Sequence, residues 1–170
     1  MLTRRKSRPF SGLKITAIIA ALVALALLAL NVLGTKQGSR RSRVLSEISA
    51  LSAALESYKF EYGDYPRAAG PIGPNQTANA NILYLALVVS NSAYNPSGKV
   101  FFEPYKGICA STNFTSSTNY FVDPEGRPYQ YRYPGDPQKS GTNFFDLFSY
   151  GKSRKTADEP ANWESWNKNW

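Results

Sequence analysis

Residues 13–65, LKITAIIAALVALALLALNVLGTKQGSRRSRVLSEISALSAALESYKFEYGDY, contain the longest regular pattern in the chain. Within them, residues 15–33 are apolar apart from Thr16 and Asn31. At a rise of about 1.5 Å per residue, a helix of this length extends about 28 Å, close to the hydrocarbon thickness of a bilayer. We therefore predict a transmembrane helix over residues 15–33.

An amphipathic helix is predicted over residues 34–66, after Gly34 and a short basic segment. Apolar residues recur there at steps of three and four, the spacing of one helix face: Leu45, Ile48, Leu51, Leu55, Tyr58 and Tyr62. Glu47 and Glu56 are among the polar residues that interleave with them. Gly63 favours the left-handed conformation that ends helices, and Pro66 prevents the helix from resuming. We expect the apolar residues between 45 and 58 to face a sheet or neighbouring helices.

The formal net charge of +8 is concentrated around the apolar run. Basic residues flank it on both sides: Arg4, Arg5, Lys6, Arg8 and Lys14 before it, and Lys36, Arg40, Arg41 and Arg43 after it. Beyond residue 43 the two signs nearly balance, so the charge indicates membrane topology rather than nucleic-acid binding. We predict a basic cytoplasmic tail over residues 1–14. A cleavable signal peptide is the alternative, but the apolar run is longer than a signal core and no A-x-A site follows it.

The residue types exclude several kinds of catalytic site. The chain contains no histidine, which excludes Ser-His-Asp and Cys-His catalysis and histidine-ligated zinc. Cys109 is the single cysteine and cannot form an internal disulfide. We expect it to be a small buried apolar residue rather than a reactive thiol. The sequence predicts no enzyme and no catalytic residue.

The remaining residues, 67–170, suffice for one small domain and hardly for two. We predict that they form one head that is exported across the membrane. The segment 82–89, ILYLALVV, favours a short helix over a strand, with Asn79 or Asn81 as its cap. Residues 100–102, VFF, are predicted to begin a strand.

The last third of the chain predicts an antiparallel sheet of about three strands. Residues 120–122 and 128–133 flank DPEG at 123–126, where Pro and Gly fit a type I turn, so a β-hairpin is expected. The alternating tyrosines at 129, 131 and 133 are expected to form the core face between sheet and helix. Residues 143–149 are predicted as the third strand. In the tail, we expect Trp163 to pack on the sheet, with Trp166 and Trp170 either in contacts or frayed.

Three segments carry a family resemblance. They are ALESYKFEYGDYP at 54–66, DPEGRPYQYRYPG at 123–135, and FDLFSYG at 145–151 before Asn162-Trp163. In this order and spacing they resemble the major pseudopilin of the type II secretion system. The resemblance implies an α+β fold of the type IV pilin-like class, in which a long N-terminal helix, half in the membrane and half amphipathic, packs on a small antiparallel sheet.

The resemblance also implies that subunits assemble through the N-terminal helix. Phe10 then matches the first residue of the processed chain, and Lys14 stands where the family has a glutamate that registers incoming subunits. Pro9 replaces the glycine at which the leader is cleaved, although cleavage after Gly12 is an alternative. The implied assembly residues are Phe10, Lys14, Leu45, Ile48 and Leu51.

A loop after the last predicted strand binds calcium in the family. Here Ser153 replaces the first acid, so Asp158 and Glu159 are the calcium candidates that the resemblance leaves. Positive charge at Arg154 and Lys155 lies beside them. We expect no cofactor, with Asp158 or Glu159 paired to Arg154 or Lys155 in place of the metal ion.

The resemblance implies a structural subunit of a type II secretion filament, or of a related type IV pilus-like filament. Its partners are other pseudopilin subunits, further copies of itself and secretion components of the bacterial inner membrane. The alternative is a membrane-anchored periplasmic binding module that does not polymerise and whose exposed aromatic residues hold a glycan or a protein.

Overall fold

A computed structural model of the chain describes residues 11–153, 155 and 157–170, with the backbone alone for residues 11–21, 24–37 and 160. The fold is α+β. Its helices are α1 (Ser11–Tyr62), α2 (Ala78–Leu87) and α3 (Pro160–Trp163), and its strands are β1 (Gln130–Arg132), β2 (Asp146–Ser149) and β3 (Asn167–Lys168). The chain divides into two compact units, and the sheet, α2 and α3 lie in the second, Arg40–Trp170.

The long helix α1 is one element from Ser11 to Tyr62, where the sequence predicted two helices separated near Gly34. It ends as predicted: Gly63 adopts a φ of 82°, and its N–H donates to the carbonyl oxygen of Lys59 at 2.7 Å. Most side chains of the predicted transmembrane helix, residues 15–33, lie outside the described ones, so that helix stays a prediction. Within the described part of the chain, no helix combines the length and apolar character that crossing a membrane requires.

One face of α1 forms the core with the sheet. The buried residues of this face follow helical steps of four and three: Val44, Ile48, Leu51, Leu55 and Tyr58. They belong to one apolar cluster with the tyrosines of the β1 region, Tyr129, Tyr131 and Tyr133, which confirms the predicted core face. Leu45 does not belong to this core, because it is 44% exposed, so of the two predicted surroundings only a neighbouring helix is open to it. Val44 takes the buried position, since it lies four residues before Ile48 on the same face.

The described strands form a sheet in the order β1-β2-β3, and both pairings are antiparallel. Tyr131 is opposite Leu147 across β1 and β2. The third strand, β3, comes from the tail and not from the predicted segment 120–122, and it pairs with Phe148 and Ser149. Residues 143–149 do supply a strand, but it begins only at Asp146.

The predicted hairpin is present only as a turn with an isolated bridge between Val122 and Pro128. The turn itself is confirmed: the carboxylate of Asp123 accepts the backbone N–H groups of Glu125 and Arg127 at 2.8 and 2.9 Å. Pro128 has no N–H to donate, and this limits the ladder at that point. Instead of a strand at 100–102, the N–H groups of Phe101 and Phe102 bond to the carbonyl oxygen of Leu87.

The short helix α2 begins at Ala78, four residues before the predicted start. The predicted caps are wrong, because both asparagine side chains bind loop carbonyls. Asn79 donates to the carbonyl oxygen of Gly70 at 3.0 Å, and Asn81 donates to those of Ser117 and Asn119. These bonds fix the loops on either side of α2 to the helix.

Leu55→Ala tests the packing of α1 in the head. Leu55 is 0% exposed, so we expect the substitution to lower the free energy of unfolding by about 2–5 kcal/mol through lost contacts and a cavity. Denaturant unfolding of residues 35–170, followed by tryptophan fluorescence, measures this. Phe60→Ala is the matched control on the same helix, since Phe60 is 91% exposed. A loss below half a kcal/mol for Leu55→Ala would contradict the packing.

Candidate functional site

The assembly residues implied by the resemblance occupy different environments. Phe10 and the Lys14 side chain lie outside the described residues. Ile48 and Leu51 are buried inside the head, so their side chains are used by the core of the subunit. Leu45 remains accessible to another molecule. Among the described side chains of the implied set, Leu45 alone is therefore positioned for a direct contact between subunits.

The face of α1 opposite the core is lined by small exposed residues. We call it the small-residue face, and it comprises Ser46, Ser49, Ala50, Ala53 and Ser57, with Leu45 and Phe60 at its two ends. Short side chains allow another helix to approach closely. Large exposed apolar groups at both ends give such a helix something to bury. This face is available for helix packing because the head covers only the opposite one.

A cleft lies beside the Phe60 end of the small-residue face. It has a volume of about 490 Å³ and is lined by Glu56, Ser57 and Phe60 from α1 and by Lys99, Val100 and Phe101 from the segment after α2. Lys99 pairs with Glu61 at 2.7 Å, which holds the loop against the end of the helix. The cleft therefore combines apolar and charged side chains.

Glu47, which the sequence pattern placed on the polar side of α1, is buried and 4% exposed. Its carboxylate accepts the hydroxyl groups of Tyr129 and Tyr105, each at 2.6 Å, and the Arg43 guanidinium Nε at 2.7 Å. Arg43 also donates to the carbonyl oxygen of Gly107 at 2.9 Å. Glu47 and Arg43 thus connect α1 to Tyr129, the residue before β1, and to the loop at residues 105–107.

The electrostatics of this cluster follow from burial around one negative charge. Burial, and then the hydrogen bond to Glu47, raise the pKa of Tyr105 to about 12 and that of Tyr129 well above its ordinary value. The hydrogen bond to Glu47 also raises the pKa of Arg43. At neutral pH both tyrosines are donors and the arginine is charged. These protonation states suit a structural role, in which the tyrosines and the arginine donate hydrogen bonds to Glu47.

Cys109 has the environment that the sequence predicted. The thiol is free and buried, and burial raises its pKa to about 12. A protonated thiol is a poor nucleophile and a poor metal ligand. Cys109 therefore acts as a small core residue.

The calcium candidates are exposed and lie at the start of α3. Asp158 contacts the Lys139 ammonium at 2.5 Å and accepts the Trp163 indole N–H at 3.0 Å. The predicted pairing of Asp158 with Lys155 is thus wrong, because the basic partner of Asp158 is Lys139, in the loop between β1 and β2. The other predicted partner, Arg154, lies outside the described residues. Glu159 is the N-cap residue of α3. In the part of the chain that the structure describes, no cluster of three acidic or cysteine residues could hold a metal ion.

The tail tryptophans pack against the end of the sheet, but the buried one is Trp166 rather than Trp163. Its ring stacks on Phe148 with centroids 4.8 Å apart, and Tyr150 meets it edge-on at the same distance. The Trp166 indole N–H donates to the carbonyl oxygen of Lys155 at 2.7 Å. The tail is therefore an ordered part of the head.

The chain matches no protein-family model, and no curated protein or solved structure is significantly similar to it.

Glu47→Gln tests the buried tie. We expect it to lower the free energy of unfolding by about 2–4 kcal/mol, because the amide NH₂ would face a tyrosine or arginine donor and leave polar groups unpaired. Glu61→Gln on the same helix is the control, and an exposed pair of this kind is worth about 0–1 kcal/mol. Equal losses for the two variants in urea unfolding would show that Glu47 adds nothing beyond a surface pair.

Calcium should leave the head unaffected. Because Lys139 already neutralises Asp158, we expect the same unfolding temperature for residues 35–170 in millimolar calcium and in a chelator. A calcium-dependent rise of several degrees that Asp158→Ala abolishes would show that the loop does bind the ion. Glu159→Ala separates the contributions of the two acids.

Proposed function

We propose that the chain is a structural, pseudopilin-like subunit of a type II secretion filament or a related type IV pilus-like filament. In this proposal residues 15–33 anchor it in the bacterial inner membrane, the tail is cytoplasmic and the head is periplasmic. The observation that carries the proposal is the division of α1 into two faces. One face is buried by the head, and the small-residue face opposite it is left for the helix of another copy.

The architecture of the head supports this proposal. A long helix packs its C-terminal half on a small antiparallel sheet, as the resemblance to pilin-like proteins implies. The resembling segments form connected parts of that head: 123–135 gives the turn and β1, and 145–151 gives β2. Because these segments are joined in one α+β head, they support the proposal more strongly than they would as separate pieces of sequence.

The basic flanks of the apolar run support the membrane part of the proposal. Lys14 differs in charge from the family's glutamate and would repel the free amine of a neighbouring subunit. Subunit contacts in this filament would then rest more heavily on the small-residue face. A subunit that caps or regulates a filament fits the same features.

A membrane-anchored binding module is the second candidate, and the cleft beside Phe60 favours it. The cleft offers two aromatic rings, Phe60 and Phe101, together with the charged side chains of Glu56 and Lys99, a combination that suits a peptide or a glycan. In this reading Phe60 binds a ligand and the chain does not polymerise.

Ala53→Leu tests the filament proposal. Ala53 lies mid-way along the small-residue face, so a larger side chain should hold two helices apart while the head stays folded. We expect the yield of filaments, measured by sedimentation and electron microscopy of cells that express the full chain, to fall at least about tenfold (about 1.4 kcal/mol or more). Ala53→Ser is the matched control and should assemble normally. Unchanged filament yield with Leu would exclude the face, and no filaments from the unaltered chain would favour the binding module.

A further inference from the structure

The Lys139 side chain is 0% exposed, although its residue lies in a surface loop. Removing an ammonium from water is unfavourable unless other groups compensate for its lost hydration. Asp158 supplies one opposite charge at 2.5 Å. Among the described residues, aromatic rings also lie close to it. The enclosure of this one lysine therefore requires an explanation.

Four rings surround the ammonium nitrogen. Their centroids lie 4.7 Å (Trp163), 5.6 Å (Phe148), 5.6 Å (Trp170) and 5.9 Å (Trp166) from Nζ. Each distance is within the roughly 6 Å at which a ring face attracts a cation. We call these rings together with Asp158 the ammonium cage.

The ammonium cage is held in shape by contacts among its own members. Phe148 stacks on Trp166 and meets Trp170 edge-on, and Trp163 meets Trp170 at 87°. The Asp158 oxygen that binds Lys139 also accepts the indole N–H of Trp163. One carboxylate atom thus orients both the cation and one of the rings that receive it.

The loop that carries Lys139 is fixed by different groups. The carboxylate of buried Asp146 accepts the Arg132 guanidinium and the backbone N–H of Asp136, both at 3.0 Å. Asp136 then accepts the Lys139 backbone N–H at its carbonyl oxygen. Gly135 permits this fold of the loop, because a Cβ there would lie 2.7 Å from the carbonyl oxygen of Phe144. Lys139 is presented to the cage from a rigid support.

We propose that the ammonium cage is a binding site for alkylammonium cations and that the chain's own Lys139 is its resident ligand. Methylated and quaternary ammonium groups are selected by sites in which several aromatic rings turn their faces to the cation and a carboxylate supplies the opposite charge. The cage joins the tail, residues 157–170, to the loop between β1 and β2. Occupancy by Lys139 therefore holds β3 in place at the edge of the sheet.

The chain provides its own reporter for this site. All three of its tryptophans, Trp163, Trp166 and Trp170, belong to the ammonium cage, so under native conditions the tryptophan emission of the full chain in detergent micelles reports on the surroundings of the cage. We expect Lys139→Ala to shift the emission to longer wavelength. Tetramethylammonium chloride should reverse the shift along a saturable curve, with a dissociation constant of order millimolar.

Three comparisons define the expected result. The unaltered chain should not respond, because Lys139 fills the cage. Lys139→Met places an uncharged side chain of similar length there and should not respond either. Lys139→Ala with Asp158→Asn should bind tetramethylammonium about tenfold more weakly, since the carboxylate is lost. A response of Lys139→Ala no greater than that to sodium chloride at equal ionic strength, or an equal response of Lys139→Met, would overturn the proposal.

Chemical restoration of the charge covers the case in which Lys139→Ala does not fold. In a Cys109→Ala background, Lys139→Cys is alkylated in denaturant and then refolded. A (2-bromoethyl)trimethylammonium adduct should restore the emission and the unfolding midpoint of the unaltered chain, and the neutral iodoacetamide adduct should not. Equal restoration by the two adducts would show that the cage needs a side chain of a certain size and not a cation.

Discussion

The buried carboxylate of Glu47 is the interaction that fixes the long helix on the sheet. Apolar contacts between α1 and the tyrosine face are non-directional, and a helix could move along such a surface at little cost. Glu47 removes that freedom, because its oxygens are bonded to Tyr129, Tyr105 and Arg43 at 2.6–2.7 Å. Any sliding of α1 would separate a buried charge from its donors, which costs several kcal/mol. This polar cluster therefore fixes the position of residues 43–58 of α1 along the face that they pack on.

The position of the head in turn decides which face of α1 another molecule can reach. With Glu47 held inward, Leu51 and Leu55 lie in the core, and the residues half a turn away, such as Ala53, must point outward. The proposed assembly surface thus follows from an interaction on the other side of the same helix. Phe60, two residues after the buried Tyr58, is exposed because of this register. The helix end around it is not loose, since α1 continues to Tyr62 and the Gly63 N–H donates to the carbonyl oxygen of Lys59.

The sequence predicted the features that depend on local patterns. Helical spacing indicated Ile48, Leu51, Leu55 and Tyr58, and residue type indicated the Gly63 end and the turn at Asp123. Features that depend on distant partners were missed. Glu47 forms an i,i+4 pair with Arg43 that is typical of an exposed face, whereas its deciding partners lie 58 and 82 residues away in the sequence. The strand β3 has two residues, too few for an alternating pattern to be seen in the sequence. Val44 and Leu45 are both apolar, so only their packing in the fold shows which of them is buried.

The tail shows how a short strand can be held without a large core. A two-residue strand contributes few ladder hydrogen bonds, and the side chain of Asn169 adds two more, from the N–H of Leu147 and to the carbonyl oxygen of Phe145. Those contacts fix position along β2 but bury little apolar area. Phe148 and Trp166 supply that area, and their rings then line the space that Lys139 enters. Because the Lys139 side chain is enclosed, its pair with Asp158 differs from an ordinary surface ion pair. Separating the two residues would leave the ammonium among aromatic rings without its counter-charge. The packing of the tail and the placement of the lysine therefore depend on each other.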